Sequence, residues 1–261
     1  MQHQINAVIH FAALKSINES INKPELYFQN NVEGSQNLFK LIKQRNIKKL
    51  IFSSSACVYG EPHYLPIDEY HNLQPLNPYG RTKVTVEELL IGDDYFQNEC
   101  STKILRYFNP IGAFTEGLIG ESPLGIPNNL MPYILAVVKG FYPYLKVYGD
   151  DYNTPDGTAV RDYIHVMDLI DAHACALKDA KVGVEIFNVG NGQGYSVLDV
   201  INTFNSVNGT KLHYQIYPRR KGDVESCFAD PSKFKKQMGW SASRNLSMMC
   251  QDAYCFAINN K

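Results

Sequence analysis

The sequence predicts an α/β protein built on a doubly wound parallel sheet. Strand-length apolar runs alternate with helical runs through the first 110 residues. A Tyr-x-x-x-Lys pair, Tyr79 and Lys83, lies at the start of one of these helices, and serines 53–55 end the strand before it. Because strands that alternate with helices build parallel sheets, this order indicates a sheet covered by helices on both faces.

The periodicity of apolar residues predicts the elements of the first part of the chain. The run from Pro24 to Arg45 carries Leu, Phe, Val and Ile at helical spacing. In order, the expected elements are a strand at 5–13, a helix at 24–45, a strand at 49–54, a helix at 78–91 and a strand at 102–108.

The second part of the chain has a different texture. Residues 110–160 are rich in Gly, Pro and Asn, which predicts loops that close over a ligand. A helix to Leu177, a strand at 185–189, a helix at about 196–206 and a loop-rich end are expected to follow. Without a clean linker, we expect residues 1–109 to form one domain and 110–261 a smaller interleaved α/β substrate lobe, with about 161–190 returning to the first sheet.

Composition excludes several classes of function. The chain has 261 residues, 44% of them hydrophobic and 20% charged, and a net charge of −1. No basic excess indicates nucleic acid or a membrane surface as a partner. The six cysteines form no Cys-x-x-Cys pair, which favours thiols in a reducing cytoplasm over disulfides or a metal site.

The Tyr79–Lys83 pair carries the chemistry. Residues four apart share a helix face, and an ammonium beside a phenol is expected to lower its pKa toward neutrality. The tyrosine would then serve as a general base opposite Ser55. Two other Tyr-x-x-x-Lys matches have a proline directly after the tyrosine, Pro143 and Pro218, which disfavours a helix there.

A glycine cluster after the strand at 185–189 resembles a dinucleotide fingerprint only superficially. Gly190, Gly192 and Gly194 lack the Gly-x-Gly-x-x-Gly spacing, and no acidic residue follows on a second strand. A tight strand-to-helix turn in the substrate lobe is favoured.

Several longer motifs carry a family resemblance across nearly the whole chain. They are His10-Phe-Ala-Ala-Leu-Lys15, Asn30-Asn-Val32, Phe52-Ser-Ser-Ser-Ala-Cys-Val-Tyr-Gly60, Pro78-Tyr-Gly80, Arg106-Tyr-Phe-Asn-Pro110, Gly125-Ile-Pro-Asn-Asn-Leu130 and Arg161-Asp-Tyr-Ile-His165. With them the chain resembles the UDP-galactose (UDP-glucose) 4-epimerases of the extended short-chain dehydrogenase/reductase group. The resemblance implies a Rossmann-type sheet, tightly held NAD, a UDP-sugar substrate and a homodimer.

The resemblance also assigns site residues. Tyr79, Lys83 and Ser55 would be catalytic: the tyrosine takes the proton of the sugar 4-hydroxyl as hydride leaves C4, and the 4-keto sugar turns over before it is reduced again. The implied NAD site comprises Phe11, Ala12, Ala13, Lys15, Asn30, Ser53, Tyr79, Lys83 and Phe108. The implied UDP-sugar site comprises Ser55, Tyr79, Tyr107, Asn109, Asn129, Leu130, Tyr148, Arg161, Arg220, Asp223 and Cys227.

Three departures from the family pattern matter. Ala13 stands where the family usually has glycine, and Cys227 where epimerases restricted to galactose and glucose tend to carry tyrosine. The small cysteine predicts that UDP-GlcNAc and UDP-GalNAc also react. The family's glycine-rich start, roughly 60–70 residues, has no counterpart. The resemblance therefore implies an N-terminally truncated sheet, and we expect this chain alone to be poorly soluble or inactive.

Two alternatives differ in their chemistry. A nucleotide-sugar 4,6-dehydratase needs an Asp-Glu pair before the Val-Tyr-Gly run, and Ala56 and Cys57 stand there instead. A non-catalytic remnant that binds nucleotide sugar or a protein partner remains open from the sequence alone.

Overall fold

The computed structural model describes residues 4–123, 125, 127–220 and 222–260. Its strands are β1 (Val8–His10), β2 (Lys49–Ser55), β3 (Ser101–Tyr107), β4 (Asn109–Ile111), β5 (Leu145–Tyr148), β6 (Val160–His165), β7 (Gly183–Val189), β8 (Gly194–Ser196), β9 (Tyr214–Tyr217) and β10 (Ser226–Cys227). Its α-helices are α1 (Ile17–Asn22), α2 (Pro24–Phe28), α3 (Gly34–Gln44), α4 (Pro78–Ile91), α5 (Asp94–Asn98), α6 (Leu130–Val138), α7 (Val166–Lys178), α8 (Val197–Asn208), α9 (Ser232–Met238) and α10 (Leu246–Asn259).

The chain divides into two compact units that alternate along the sequence. Unit 1 comprises residues 1–107, 172–189 and 231–240, and unit 2 comprises 108–171, 190–230 and 241–261. Each unit has its own sheet and its own core, so each is described separately below.

Unit 1 is built on a parallel sheet with the strand order β1-β2-β3-β7. The register places Ile51 of β2 beside Ile9 of β1 and Lys103 of β3. One face of the sheet packs against α3, α4 and α5 through a buried apolar cluster, with Leu50, Phe52 and Ile104 from the strands and Phe39, Val86, Leu90 and Phe96 from the helices. Within the described residues, β1 is one edge of this sheet.

Unit 2 contains two small sheets. In the first the strand order is β10-β6-β4, with β8 antiparallel to β6; the second pairs β5 with β9 in parallel. Helices α6, α8 and α10 share a core that includes Ile134, Leu135, Val200, Ile201, Phe204, Met249 and Ala253.

The parallel, helix-covered sheet of unit 1 confirms the predicted fold class. The expected strands at 49–54, 102–108 and 185–189 are present within two residues of their predicted bounds, as is the helix at 78–91. The first strand is shorter than the expected 5–13, and the helix α1 was not anticipated.

The loop prediction for residues 110–160 is confirmed for most of the described residues in the segment, but it missed the regular elements there. The segment contains β4, α6, β5 and the first residue of β6. Helix α6 is apolar almost throughout, and its Pro132 occupies the first turn, where a helix tolerates proline because no backbone donor is needed there. Strand β5 has only four residues, too few for its alternation of buried and half-buried side chains to stand out.

The C-terminal part was also expected to be rich in loops, yet it holds β9, β10, α9 and α10. The glycine cluster at 190–194 does form a turn, which leads into the short strand β8 and then into α8. Tyr142-to-Lys146 is not helical; Lys221, the end of the third Tyr-x-x-x-Lys match, lies outside the described residues.

The predicted helix at 24–45 contains an irregularity. Helices α2 and α3 are joined by a π-helical turn, Gln29–Glu33, which holds Asn30 and Asn31. Such turns are rare and often occur at functional sites. Across the described residues, none of the helices is both long and apolar enough to cross a bilayer.

Candidate active site

The predicted catalytic residues of unit 1 lie together at the carboxyl end of β2. Tyr79 is the second residue of α4, and its phenol lies close enough to the Ser55 hydroxyl for that group to lower its pKa in part. The ammonium of Lys83, one helical turn later, donates to the carbonyl oxygen of Ser53 at 2.7 Å and lies 5.9 Å from the centre of the Tyr79 ring. The structure thus brings the Ser, Tyr and Lys side chains to one place.

Local sequence fixes the start of α4 firmly. The side-chain oxygen of Asn77 accepts the Gly80 N–H at 2.8 Å, and Pro78 occupies the first helical position. A Cβ atom on Gly80 would lie 2.6 Å from the carbonyl oxygen of Cys57, so only glycine lets the helix approach the 3₁₀ turn after β2 this closely. The residue next to Tyr79 is therefore in close backbone contact with the turn after β2.

The expected effect of Lys83 on the phenol was wrong for this arrangement. Burial raises the pKa of Tyr79, and the Ser55 hydrogen bond opposes this shift only in part. The same burial lowers the pKa of Lys83 to about 8. The ammonium is directed at Ser53 and not at the phenol oxygen, which is why desolvation dominates.

The segment after β1 holds four of the predicted cofactor residues. Phe11 is 56% exposed and contacts the buried His173 ring, with the ring centres 4.8 Å apart and the planes tilted by 34°. The backbone of this segment is fixed by the buried Asn31, whose amide oxygen accepts the Leu14 N–H at 2.8 Å and whose amide nitrogen donates to the Leu14 carbonyl at 3.0 Å. Its remaining predicted members are Ala12, Ala13 and Lys15.

Asn30 and Ser53 complete the predicted cofactor set of unit 1. Asn30 is exposed and its amide donates to Asn31 at 2.9 Å. The hydroxyl of Ser53 lies 3.2 Å from Nε2 of His173, and its proximity to the Tyr107 phenol opposes in part the rise in the pKa of Tyr107 that burial causes. Tyr107, predicted to bind the sugar, is the last residue of β3 and pairs with Ser55 in the sheet.

The sequence analysis did not assign three residues that lie close to this site, Asn31, His173 and Glu87. Asn31 and His173 act through contacts 17 and 120 residues apart in the chain, for which no local pattern exists. Glu87 follows Lys83 at the same four-residue spacing that separates Lys83 from Tyr79, so helical periodicity alone would have drawn attention to it.

In unit 2, three predicted substrate residues form one cluster. The Arg220 guanidinium lies over the Tyr148 ring, 4.7 Å from its centre, and its Nε donates to the Asp223 carboxylate at 2.8 Å. An arginine beside an aromatic ring suits recognition of a nucleotide, because the ring stacks on a base and the guanidinium binds phosphate.

Arg161 and Cys227 are direct neighbours across strands β6 and β10. The Arg161 guanidinium donates to the Val160 carbonyl at 2.8 Å and is half-buried, as is Cys227. Their pairing brings the predicted phosphate ligand and the predicted specificity residue to adjacent positions on one sheet.

The remaining predicted residues of unit 2 lie on β4 and α6. Phe108 directly precedes β4 and is buried, whereas Asn109, the first residue of β4, is exposed. Asn129 precedes α6 without capping it, and half-buried Leu130 begins the helix. The start of α6 therefore has no side-chain cap from Asn129.

The chemistry of the unit 1 residues fits a nicotinamide nucleotide. The exposed face of Phe11, the Asn30 amide and the Lys83 ammonium lie at or beside the carboxyl ends of parallel strands, where open α/β sheets bind dinucleotides. The described residues contain no group of three His, Cys, Asp or Glu side chains that could hold a metal ion.

Comparisons with known proteins agree with this arrangement. A protein-family profile, the NAD dependent epimerase/dehydratase family, matches residues 1–190. The UDP-glucose 4-epimerase of Dictyostelium discoideum is 49% identical over 253 residues, which cover 96% of this chain and 74% of that protein.

Solved structures give the same result. The UDP-glucose 4-epimerase of Bifidobacterium longum, in complex with NAD+ and UDP, is 45% identical with a TM-score of 0.94; the match covers 99% of this chain and 78% of that one. The enzyme of Stenotrophomonas maltophila, with bound NAD and formylated UDP-arabinopyranose, is 44% identical with a TM-score of 0.93 over 98% of this chain and 77% of that one. This chain therefore belongs to the NAD-dependent epimerase/dehydratase family, in which UDP-glucose 4-epimerases are among its relatives.

Proposed function

We propose that this protein is an isomerase that interconverts UDP-galactose and UDP-glucose by oxidation at C4, rotation of the 4-keto sugar and re-reduction. The observation that carries the proposal is that Ser55, Tyr79 and Lys83 lie together, with Tyr79 beside Ser55 and Lys83 bonded to the Ser53 carbonyl one turn away. When bound, NAD supplies the hydride acceptor and donor, together with a positively charged ring.

The chain's own residues handle the proton. Ser55 holds the sugar 4-oxygen beside Tyr79, and the Tyr79 oxygen takes the 4-hydroxyl proton as hydride leaves C4. The same oxygen returns the proton when hydride is delivered to the opposite face of the keto sugar. Because burial raises the pKa of Tyr79 in the chain alone, the positively charged ring of bound NAD would supply the charge that favours the phenolate, and Lys83 would hold the end of β2 beside it through the Ser53 carbonyl.

We further propose separate roles for the two units. In unit 1, Phe11, Ala12, Ala13, Lys15, Asn30, Ser53 and Lys83 hold NAD, while Ser55, Tyr79 and Tyr107 face the sugar. In unit 2, Phe108 belongs with the cofactor, while Asn109, Asn129 and Leu130 bind the UDP-sugar. Tyr148 stacks on the uracil, Arg161 and Arg220 hold the diphosphate, and Asp223 accepts from the ribose hydroxyls.

A direct assay tests the proposed function. The purified chain is incubated with NAD and UDP-galactose, and UDP-glucose is detected through a coupled UDP-glucose dehydrogenase that reduces NAD. The assay is run on this chain and on the chain preceded by the glycine-rich start of a relative. We expect turnover by the extended form, and Tyr79→Phe in that form should remove it. Absence of turnover, together with absence of NAD binding, would favour the alternative of a chain that binds nucleotide sugar or a protein partner without catalysis. That alternative is otherwise disfavoured, since every catalytic side chain is retained.

A second part of the proposal concerns the sugar 2-position. Cys227 is small, and we propose that it leaves room for an N-acetyl group, so that UDP-GlcNAc and UDP-GalNAc also react. Cys227→Tyr should abolish turnover of UDP-GlcNAc and spare UDP-galactose, and Cys227→Ser serves as the matched control of small size. Equal loss for both sugars, or no turnover of UDP-GlcNAc by the parent chain, would contradict the proposal.

We also propose that the protein is cytoplasmic and homodimeric. The absence of Cys-x-x-Cys pairs supports a reducing compartment, and the family resemblance supports the dimer. Fractionation of the source cells and sedimentation of the purified chain test the two statements separately.

A further inference from the structure

The end of β2 contacts helix α4 at three points, and the proposed function uses only two of them. Within residues 53–55, the hydroxyl of Ser55 lies beside the Tyr79 phenol, and the backbone carbonyl of Ser53 accepts a hydrogen bond from the Lys83 ammonium. The middle one, Ser54, donates its hydroxyl to the Glu87 carboxylate at 2.5 Å. Tyr79, Lys83 and Glu87 are each four residues apart, so one face of α4 meets three consecutive serines.

Glu87 is a fully buried charge in a fixed position. It is 0% exposed, and Arg106 of β3 donates to both of its carboxylate oxygens from Nε, at 3.1 Å each. A second Arg106 nitrogen donates at 2.5 Å, and a third contacts the Tyr59 hydroxyl at 3.1 Å. A side chain with this many charge-assisted contacts has one conformation, so its charge acts from a constant place.

From this geometry we propose that Glu87 is a positioning residue for the reaction: its carboxylate, fixed by Arg106, holds the end of β2 through Ser54 and places a constant negative charge one helical turn from Lys83. The catalytic part of this proposal rests on the proposed function, whereas the position of Glu87 rests on the contacts described above. Glu87 itself touches neither sugar nor cofactor in this scheme.

Electrostatics point the same way. Burial lowers the pKa of Lys83 to about 8, and Glu87 is the strongest influence that opposes this loss of charge. His10 of β1 is neutral at pH 7, because burial and then Lys83 lower its pKa to about 4. The other groups that face this face of α4 are Tyr79 on the helix itself, Cys57 in the turn after β2, Tyr27 of α2 and Arg106 of β3.

The chain offers a matched pair of variants. Glu87→Gln keeps the shape and an oxygen for Ser54 but removes the charge, and Glu87→Asp keeps the charge. Glu88→Gln makes the same chemical change one residue further along α4, at an exposed position, and serves as the control. Should Glu87→Gln fail to fold, the double variant E87M/R106M removes both buried charges together and takes its place.

The first measurement determines the titration midpoint of Lys83 directly. Lysine is labelled with ¹³C, the Lys83 resonance is assigned by its loss in Lys83→Arg, and its titration is followed by NMR. We expect the midpoint in Glu87→Gln to fall by about one pH unit, while Glu87→Asp and Glu88→Gln keep that of the parent. An unchanged midpoint in Glu87→Gln overturns the proposal, whatever happens to turnover.

The second measurement is the pH profile of kcat with UDP-galactose. With midpoints of 8 and 7, the charged fraction of Lys83 at pH 8 falls from about one half to about one tenth, so kcat should drop about fivefold at pH 8 and hardly at all at pH 6. KM should stay within about twofold, because Glu87 does not touch substrate. A uniform loss at both pH values would indicate a merely structural role and overturn the proposal. If the lysine midpoint shifts but the parent chain turns over no UDP-galactose, the proposed function fails and the Glu87–Lys83 coupling stands.

Discussion

The buried ion pair between Arg106 and Glu87 predicts a large and asymmetric effect on stability. The two side chains are 3% and 1% exposed, and three guanidinium contacts neutralise the carboxylate. Arg106→Met removes all three and leaves a buried carboxylate with only the Ser54 hydroxyl. Breaking one side of such a pair costs about 3–5 kcal/mol.

The sequence supplies a local probe for this change. Its single tryptophan, Trp240, belongs to unit 1 and packs against Phe234 at 5.3 Å between ring centres. With a urea dependence of about 2 kcal/mol per molar, Arg106→Met should lower the midpoint of the fluorescence transition by about 1.5–2.5 M. Arg81→Met, on the exposed side of α4, should shift the free energy of unfolding by under about 0.5 kcal/mol.

The double variant E87M/R106M completes the cycle. Apolar side chains of similar size in both positions avoid the unpaired charge, so most of the lost stability should return, to within about 1 kcal/mol of the parent. The reasoning is refuted if Arg106→Met loses less than about 1 kcal/mol, or if the double variant is no more stable than Arg106→Met alone.

Two further predictions concern the Tyr–Lys pair. Tyr79→Phe removes the hydroxyl that exchanges the proton and should lower kcat by about 10²–10⁴-fold with unchanged circular dichroism; a loss under tenfold would show that another group moves the proton. Lys83 has a pKa of about 8 when folded and 10.5 as its ordinary value, so between these pH values the unfolded chain binds more protons and stability rises with pH. The buried charge thus costs about 3 kcal/mol of stability below pH 8. From pH 7 to pH 10, the unfolding free energy of the parent should therefore rise by about 2–3 kcal/mol relative to that of Lys83→Met in urea titrations. A constant difference between the two proteins would contradict the burial of the charge.

The sequence predicts the sheet of unit 1 well because its strands are long and flanked by clear helical periods. Strands β2 and β3 have seven residues each, and helix α4 starts at a proline after an asparagine, a strong signal for a helix start. The same rules fail in unit 2, where β5 has four residues and β10 two. They also miss the apolar helix α6, because it contains Pro132 in its first turn.

Of the candidate site, the sequence predicts the residues better than their ionisation. Spacing on a helix is a local property, so Tyr79 and Lys83 could be paired from the sequence alone. The pKa of Tyr79 depends instead on how completely distant segments cover the phenol, and the direction of the Lys83 ammonium depends on the Ser53 carbonyl, a contact 30 residues away. Neither the pKa of Tyr79 nor the direction of the Lys83 ammonium can be inferred from the pattern of residue types.

The absence of a side chain at Gly80 has a consequence for how this protein tolerates substitution. The phenol beside it is located by two main-chain surfaces in contact, Cys57 against the first turn of α4, with no rotamer in between that thermal motion or a neighbouring mutation can switch. A methyl group added at this one position would act as a wedge and tilt the whole turn away from the serine. The distance between the Tyr79 phenol and the serine at the end of β2 therefore depends on Gly80, the one residue of the Tyr-x-x-x-Lys motif that has no side chain.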